Sequence, residues 1–275
     1  MELEEKQSKL EETLRGQESV LVAFSGGVDS AYLAFMAHRV LGQRALAVTA
    51  DSPSLASFQR EDVIQFVSRH KLNHEFIFTE EMANPKYVAN PANRCFFCKE
   101  ELFTRLTVMA KERGYKKVVY GVNLDDLGDY RPGQEAAVLM GIEAPLVEAR
   151  LTKADIRDLS RQLNLETWDH PASACLSSRI PYGMMVTLEK LNAIDRGEQG
   201  LHKLGFHQVR VRHHGELARI EIAPEEMARA LHPQMARKFA QFFKSLGFKY
   251  VTLDLEGYRQ GALNEVLSPT SKGTS

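Results

Sequence analysis

The chain has 275 residues, of which 44% are hydrophobic and 26% are charged. These values are typical of a globular protein and exclude a disordered or fibrous chain, and the length suffices for one large domain or two smaller ones. Thirty-five Lys and Arg residues against 36 Asp and Glu residues give a net charge of -1, so no large basic excess is present to bind a nucleic-acid backbone.

The N-terminal residues MELEEKQSKL lack the apolar core of a secretory signal, and three cysteines are too few for a disulfide framework. No stretch approaches the roughly 18 to 20 apolar residues that a membrane-spanning helix requires. We therefore expect a cytoplasmic protein that does not associate with a membrane.

Short apolar strands alternate with helical patterns through the first half of the chain. After a charged helical pattern at 2–15, strands are predicted at 20–24, 45–50, 75–79 and 117–122, with a weaker fifth at 145–148. Helical patterns fall at 55–70, 98–113, 133–141 and 152–163. This alternation predicts β-α-β units and a parallel sheet that helices cover on both faces, which is the α/β class.

A segment rich in Ser, Ala and Pro separates this half from the rest. Residues 166–183 show neither hydrophobic period and are predicted to be a loop. The predicted domains are therefore 1–183 and 184–275. The second is a smaller α+β domain, to which we assign substrate binding and oligomerisation. Its elements are a helix at 187–204, strands at 207–213, 216–222 and 249–255, and a helix at 225–245 that Pro233 breaks. The last ten residues are predicted to be disordered.

A glycine-containing loop follows the first predicted strand, with the sequence Ser25-Gly26-Gly27-Val28-Asp29-Ser30. Two glycines let backbone N–H groups approach a phosphate, and the start of the following helix adds partial positive charge. Both serines can donate hydrogen bonds to phosphate oxygens, and Asp29 can hold a bridging Mg²⁺. The loop is neither a Walker A sequence nor a dinucleotide fingerprint. We predict that it binds phosphate through Ser25, Gly26, Gly27, Asp29 and Ser30.

This loop, directly after a strand, resembles the PP-loop of the N-type ATP pyrophosphatases, which cleave ATP to AMP and pyrophosphate while they adenylate a substrate. The resemblance covers about residues 18–150. It implies that Thr49, Ala50 and Asp51, at the end of the second strand, lie on the adenosine side of bound ATP. It also implies that Gly121, at the end of the fourth strand, approaches the nucleotide.

Three further segments narrow the resemblance: RCFFCK at 94–99, GVNLDDLGDYRPG at 121–133 and ACLSSRIPYG at 174–183. Together they resemble the LarE family, ATP-dependent sulfur transferases that help make the nickel-pincer nucleotide cofactor. The resemblance implies a pyridinium-3,5-biscarboxylic acid mononucleotide substrate, whose carboxylate is adenylated with release of pyrophosphate and converted to a thiocarboxylate. It also implies that Cys175 bears the sulfur and that the chain forms homo-oligomers, up to a hexamer.

Sulfur follows one of two routes in that family. A lone cysteine gives up its own sulfur and becomes dehydroalanine, or three cysteines carry a 4Fe-4S cluster that delivers sulfide from a donor repeatedly. The chain has three cysteines, and a CxxC pair with one distant thiolate favours the cluster. The predicted cluster ligands are Cys95, Cys98 and Cys175. A sacrificial Cys175, a zinc site that includes His170, a disulfide and inert thiols stay open as alternatives.

Charged residues of the second domain supply a predicted anion site. Arg210 and Arg212 lie two apart on a strand, so their side chains share a face and can bind the substrate phosphate. A solvated basic face is the alternative. Glu198 and Glu221 resemble acidic positions of the family near the active site, and plain solvation stays open for both. Arg179 lies four residues after Cys175 and can lower the pKa of its thiol.

Three other functions compete with that of a LarE-like sulfur transferase. A tRNA-thiolating enzyme shares the loop and the CxxC pair, but the near-zero net charge, the absence of a Lys/Arg-rich RNA-binding extension and the CLSSRIPYG segment argue against this function. An amide-forming synthetase uses the same loop and leaves the cysteines incidental. An ATP-binding module without catalysis is the third. We predict an ATP-dependent, pyrophosphate-forming sulfurtransferase.

Overall fold

The computed structural model describes residues 2–128, 132–171 and 174–259. These residues divide into two compact units. The N-terminal unit comprises 2–52, 59–81, 93–128 and 132–171, and the C-terminal unit comprises 53–58, 82–92 and 174–259. The predicted disorder of the last ten residues, and Asp129, Tyr130 and Arg131 of the family motif, lie outside the described residues.

The segment 174–183 belongs to the C-terminal unit, whereas the boundary predicted after Gly183 assigns it to the first domain. Its hydrogen bonds explain the difference. The Leu176 N–H donates to the Ser54 carbonyl, and the Asn90 side-chain amide donates to the Ile180 carbonyl. Ser54 and Asn90 lie in residues 53–58 and 82–92, two short segments of the N-terminal half of the chain that belong to the C-terminal unit.

The N-terminal unit is built on the strands β1 Val20–Ala23, β2 Ala45–Asp51, β3 His74–Phe78 and β4 Lys117–Tyr120. They form a four-stranded sheet with the order β3-β2-β1-β4, in which all paired neighbours are parallel. The prediction of a parallel sheet is therefore confirmed. All four residues of β1 are buried, as expected for a strand with helices on both faces.

Alternate residues of β1 pack in two separate hydrophobic cores. Val20 and Val22 pack in a core with residues of the helices Leu3–Gly16, Val28–Leu41 and Lys153–Gln162, whereas Leu21 and Ala23 pack in one with residues of the helices Arg94–Arg113 and Pro132–Leu139. This alternation follows from the twofold period of a strand. The helices to this point are α1 Leu3–Gly16, α2 Val28–Leu41, α3 Ser57–His70, α4 Pro85–Val88, α5 Arg94–Arg113, α6 Pro132–Leu139, α7 Pro145–Glu148 and α8 Lys153–Gln162.

The weak fifth strand predicted at 145–148 is wrong, because this segment is the short helix α7. Pro145 occupies its first turn, where a fixed φ and a missing N–H favour a helix start. The contact with the sheet is a single parallel bridge between Glu143 and Val119. The predicted loop 166–183 also contains two short 3-10 turns, Glu166–Asp169 and Leu176–Arg179.

The C-terminal unit holds a three-stranded sheet of β5 (Val209–His214), β6 (Leu217–Ile222) and β7 (Tyr250–Leu253), in the order β5-β6-β7. Strands β5 and β6 are antiparallel across the predicted turn at Gly215, and β7 is parallel to β6. The predicted helix at 225–245 is broken before Pro233, as the proline indicated. The elements are α9 Leu188–Lys203, β5 Val209–His214, β6 Leu217–Ile222, α10 Met227–Ala230, α11 Pro233–Ser245 and β7 Tyr250–Leu253.

In the part of the chain that the structure describes, none of the helices combines the length and apolar character that crossing a bilayer requires.

Candidate functional site

The predicted phosphate loop connects β1 to α2, with Gly27 as the N-cap residue of the helix. Gly26 has a φ of +77°, and a Cβ atom built on it would lie 2.8 Å from Val63 Cγ2. Both features require glycine at this position. The first N–H groups of α2 have no acceptor within the helix, so the loop offers backbone donors to an anion.

The two serines of the loop bond to each other rather than pointing apart. Ser30 Oγ donates to the Gly27 carbonyl at 3.0 Å and accepts the Ser25 N–H at 3.2 Å. The two hydroxyl oxygens are 3.1 Å apart. Ser30 is buried, so its hydroxyl holds the loop in shape, whereas Ser25 is exposed at the loop surface.

Asp29, at the second position of α2, forms an ion pair that sequence reasoning missed. Its Oδ2 lies 2.8 Å from Lys153 Nζ, at the first position of α8. Its other oxygen, Oδ1, is buried and accepts no hydrogen bond from any of the described residues. A buried carboxylate oxygen without a donor suits a hard cation, so Asp29 fits the predicted Mg²⁺. The capping box of Thr152 and Asp155 marks the start of α8 in the sequence. It was the available sign that Lys153 lies in the first turn of a helix.

The three adenosine-side candidates at the end of β2 differ in exposure. Thr49 is buried, and its Oγ1 lies 2.9 Å from His74 Nε2. Burial lowers the pKa of His74 to about 4, so this imidazole is neutral at neutral pH. Ala50 and Asp51 are partly exposed, and the Asp51 carboxylate pairs with Arg60 at 3.3 Å. Of the three side chains, only that of Thr49 is buried.

Gly121, just after β4, lies against the backbone at the start of α2. A Cβ atom at this position would be 2.6 Å from Ser30 N, 2.7 Å from Ser30 Cα and 2.9 Å from the carbonyl carbon of Asp29. Gly121 thus allows the phosphate loop to pack on the end of the sheet. This role is additional to its predicted approach to the nucleotide.

We expect Gly121→Ala to weaken ATP binding and to lower the stability of the folded chain by about 1 to 3 kcal/mol, because a rigid backbone opposes the added methyl group. The measurements are the KM for ATP and thermal unfolding. The matched control is Gly16→Ala, since a Cβ at Gly16 would have no non-neighbouring atom of the described residues within 4 Å. An unchanged KM for ATP in the Gly121 variant would contradict this role.

The three cysteines are not joined by a disulfide. Cys95 is exposed and Cys98 partly exposed near the start of α5, where a spacing of three puts both on one side of the helix. Cys175 is partly exposed and precedes the 3-10 turn. Among the described residues, no group of three or more Cys, His, Asp or Glu side chains is arranged to hold a metal ion. The predicted cluster, whose ligands would come from both units, therefore stays a prediction.

Arg210 and Arg212 are buried on β5, so a solvated basic face is excluded. Arg212 donates through Nε and Nη2 to Glu221, both at 2.8 Å, and through Nη1 to the Ser178 carbonyl. The Arg210 guanidinium lies 5.1 Å from the centre of the Tyr258 ring. Burial lowers the pKa of Arg210, and the charge of Arg179 lowers it further. The carboxylate of Glu198 acts in the opposite direction and raises this pKa.

The two glutamates are ion-pair partners and not solvated side chains. Glu221 pairs with Arg212 and Arg219, and Glu198 pairs with Arg179. Burial alone would raise the pKa of Glu198, but the adjacent Arg179 holds that pKa below its ordinary value. The alternation of apolar and polar residues predicted strands at β5 and β6. It did not indicate which arginines pair with Glu198 and Glu221.

Comparison with known proteins adds three relatives that match most of the chain. An uncharacterized protein of Synechocystis, slr1717, is 47% identical over 266 residues, which cover 97% of this chain and 99% of that protein. The pyridinium-3,5-bisthiocarboxylic acid mononucleotide synthase of Lactiplantibacillus plantarum is 33% identical over 98% of this chain and 97% of its own length. The uncharacterized protein MJ0830 of Methanocaldococcus jannaschii is 28% identical over 87% of this chain and 90% of its own. No protein-family model matches the chain.

The parallel sheet, the glycine loop at the end of β1 and the smaller C-terminal sheet define a PP-loop ATP pyrophosphatase fold, as predicted. Within this class, similarity to the Lactiplantibacillus synthase extends over nearly the full length of both chains. The chain belongs to the LarE family, which confirms the resemblance found in its motifs.

Proposed function

We propose that this protein is an ATP-dependent sulfur transferase that converts pyridinium-3,5-biscarboxylic acid mononucleotide to the thiocarboxylate. The observation that carries the proposal is the 33% identity, over 98% of the chain, to a synthase named for the bisthiocarboxylic acid mononucleotide. The phosphate loop of the N-terminal unit and the accessible Cys175 of the C-terminal unit supply groups for the two chemical steps.

In the first step, a carboxylate oxygen of the substrate attacks the α-phosphorus of ATP, and pyrophosphate leaves. The backbone N–H groups at the start of α2 would bind the phosphates, and Asp29 would hold a Mg²⁺ that neutralises part of their charge. Lys153 would add positive charge beside the leaving pyrophosphate, since its ammonium already lies at Asp29. The product of this step is a mixed anhydride with AMP.

In the second step, a sulfur nucleophile attacks the acyl carbon and AMP leaves. We assign the entry of sulfur to Cys175. If the Cys175 thiolate is itself the nucleophile, a thioester forms, and loss of the Cα proton with cleavage of the Cβ–S bond releases the thiocarboxylate and leaves dehydroalanine. If sulfide from a donor instead attacks the acyl carbon of this thioester, the C–S bond to Cys175 breaks, its thiolate leaves and the thiocarboxylate forms, and Cys95 and Cys98 are candidates to assist in delivery of the sulfide.

The test is an anaerobic incubation of the full chain with ATP, Mg²⁺, sulfide and the pyridinium mononucleotide, in which thiocarboxylate is counted per protein chain. Several products per chain would support repeated delivery of sulfide and would favour the predicted cluster. One product per chain, with dehydroalanine at position 175, would establish the sacrificial route. No thiocarboxylate in the complete mixture would contradict the proposed function.

Variations of this mixture, together with a tRNA-binding assay, separate the rival functions. Ammonia or glutamine in place of sulfide would give an amide if the chain were an amide-forming synthetase. Salt-sensitive binding of tRNA in a filter assay would favour a tRNA-thiolating enzyme. ATP binding without pyrophosphate release, with any of these substrates, would indicate a module that does not catalyse.

The substrate phosphate provides a separate prediction. We propose that Arg210 binds it, because its guanidinium lies beside the Tyr258 ring, 5.1 Å from the ring centre, and Arg179 adds a second positive charge near it. Arg210→Ala should raise the KM for the mononucleotide on the order of 10- to 100-fold, as expected for the loss of a charged hydrogen bond. Wild-type protein should discriminate against the nucleoside that lacks the phosphate, and the variant should not. Equal discrimination by both proteins would remove Arg210 from the phosphate site.

A further inference from the structure

One ion pair of the C-terminal unit has no contact with solvent. Arg179 and Glu198 are both 0% exposed. Arg179 Nε donates to Glu198 Oε1 at 2.9 Å, and Nη2 donates to Oε2 at 3.1 Å, so the pair is bidentate. Burial of two charges has a desolvation cost that their attraction often only offsets, so such a pair is weak evidence for a stabilising role. The remaining contacts of Arg179 indicate that the pair has a different role.

The third nitrogen of the Arg179 guanidinium binds the loop around Cys175. Nη1 donates to the carbonyl oxygen of Ala174 at 2.6 Å and to that of Cys175 at 2.9 Å. It also lies 2.9 Å from Ser178 Oγ, which itself donates to the Cys175 carbonyl at 2.8 Å. These two carbonyls belong to the peptide groups immediately before and after the Cys175 Cα atom. Arg179 therefore holds the backbone on both sides of the cysteine.

Other contacts complete this restraint. The Leu176 N–H donates to the Ser54 carbonyl at 2.8 Å, so the peptide group that follows Cys175 is held at its N–H as well as at its oxygen. Glu198 Oε1 accepts the Val211 N–H at 3.0 Å, which ties the carboxylate to β5. The Cys175 residue itself stays partly exposed. The backbone is thus fixed while the residue remains accessible.

We propose that Arg179 is a positioning residue for sulfur transfer: it holds the Cys175 backbone so that the thiol is presented in one orientation, and Glu198 orients Arg179. This inference rests on the proposed function, in which sulfur enters at Cys175. The expectation from sequence is a charge effect on the thiol. The contacts of Nη1 are with two carbonyl oxygens and a hydroxyl, and they assign Arg179 a geometric role.

The decisive variant is Arg179→Lys, which keeps the positive charge but cannot reproduce the planar fork of donors. We expect kcat for thiocarboxylate formation to fall on the order of 100-fold, since a misplacement of about 1 Å has effects of this size. Pyrophosphate release and the KM for the mononucleotide should stay within about twofold of the wild-type values, because adenylation does not use Cys175.

Two further variants separate positioning from general damage to the fold. Ser178→Ala removes one acceptor of Nη1 and leaves the ion pair intact, and it should lower kcat for thiocarboxylate about tenfold. The matched control is Arg229→Lys. Arg229 also pairs with a glutamate, Glu226, and donates to two carbonyl oxygens, but these are the carbonyls of Leu204 and Gly205. This control should form thiocarboxylate at the wild-type rate.

Wild-type kcat in Arg179→Lys would overturn the proposal, since charge alone would then suffice. If that variant does not fold, wild-type kcat in Ser178→Ala would overturn it. Loss of pyrophosphate release together with thiocarboxylate in a folded variant would also contradict a role confined to sulfur transfer. Failure of the proposed function is distinct, because the wild-type chain itself would then form no thiocarboxylate.

Discussion

Asp29→Asn is expected to lower ATP-dependent pyrophosphate release by about 100- to 1000-fold, the range found when one preorganised charge-stabilising group is removed. Asparagine keeps the size of the side chain but not its charge. It therefore loses both the attraction for Mg²⁺ and the pairing with Lys153 Nζ, now at 2.8 Å. The measurement is the rate of pyrophosphate release at a series of Mg²⁺ concentrations.

A matched control for this variant is Glu143→Gln. Glu143 also pairs with a lysine of the N-terminal unit, Lys117, which begins β4 at the end of the sheet opposite to the phosphate loop. We expect pyrophosphate release to be unchanged in the control. An Asp29 variant that keeps more than about a tenth of the wild-type rate at saturating Mg²⁺ would show that the carboxylate does not hold the cation.

Cys175→Ser should abolish thiocarboxylate formation and leave pyrophosphate release close to the wild-type rate. The reason is that the hydroxyl of serine is a far weaker nucleophile than a thiolate and carries no sulfur. Adenylation is assigned to residues of the N-terminal unit and does not require the thiol. The measurement is the ratio of thiocarboxylate to pyrophosphate in one reaction mixture.

The comparison variants are Cys95→Ser and Cys98→Ser, made separately. If sulfide is delivered repeatedly through these thiols, each variant should fall to at most one product per chain. If Cys175 is sacrificed, both variants should match the wild-type yield. A folded Cys175→Ser protein that no longer releases pyrophosphate would refute the division of the reaction between the two units' residues.

Local patterns predicted the fold of the N-terminal unit well. The strand β1, the loop Ser25-Gly26-Gly27 after it and the helix α2 are set by short-range signals, namely an apolar run, two glycines and a helical spacing of apolar residues. The parallel sheet follows from the alternation of such units. The segment 145–148 was assigned wrongly, because a four-residue apolar run does not by itself separate a strand from a helical turn.

The contacts that shape the two candidate sites were much less predictable. Asp29 with Lys153, and Arg179 with Glu198, are separated by 124 and 19 residues. No hydrophobic period relates the members of such a pair, since hydrogen-bond geometry and burial select them only after the chain has folded. Glu198 illustrates this difficulty, because a glutamate on a helix is usually solvated and this one is completely buried.

The C-terminal unit is not encoded by one contiguous stretch of the gene. Ser54 and Asn90 lie far upstream of Cys175, yet their carbonyl and amide groups hold the loop that carries it. A fragment that begins at Ala174 would lack both supports, and so would a chimaera in which only the C-terminal third is exchanged between relatives. Insertions or deletions in the short segments after β2 and before α5 would act on the cysteine loop as directly as changes within it. Recombination can therefore exchange this unit only together with those two upstream segments.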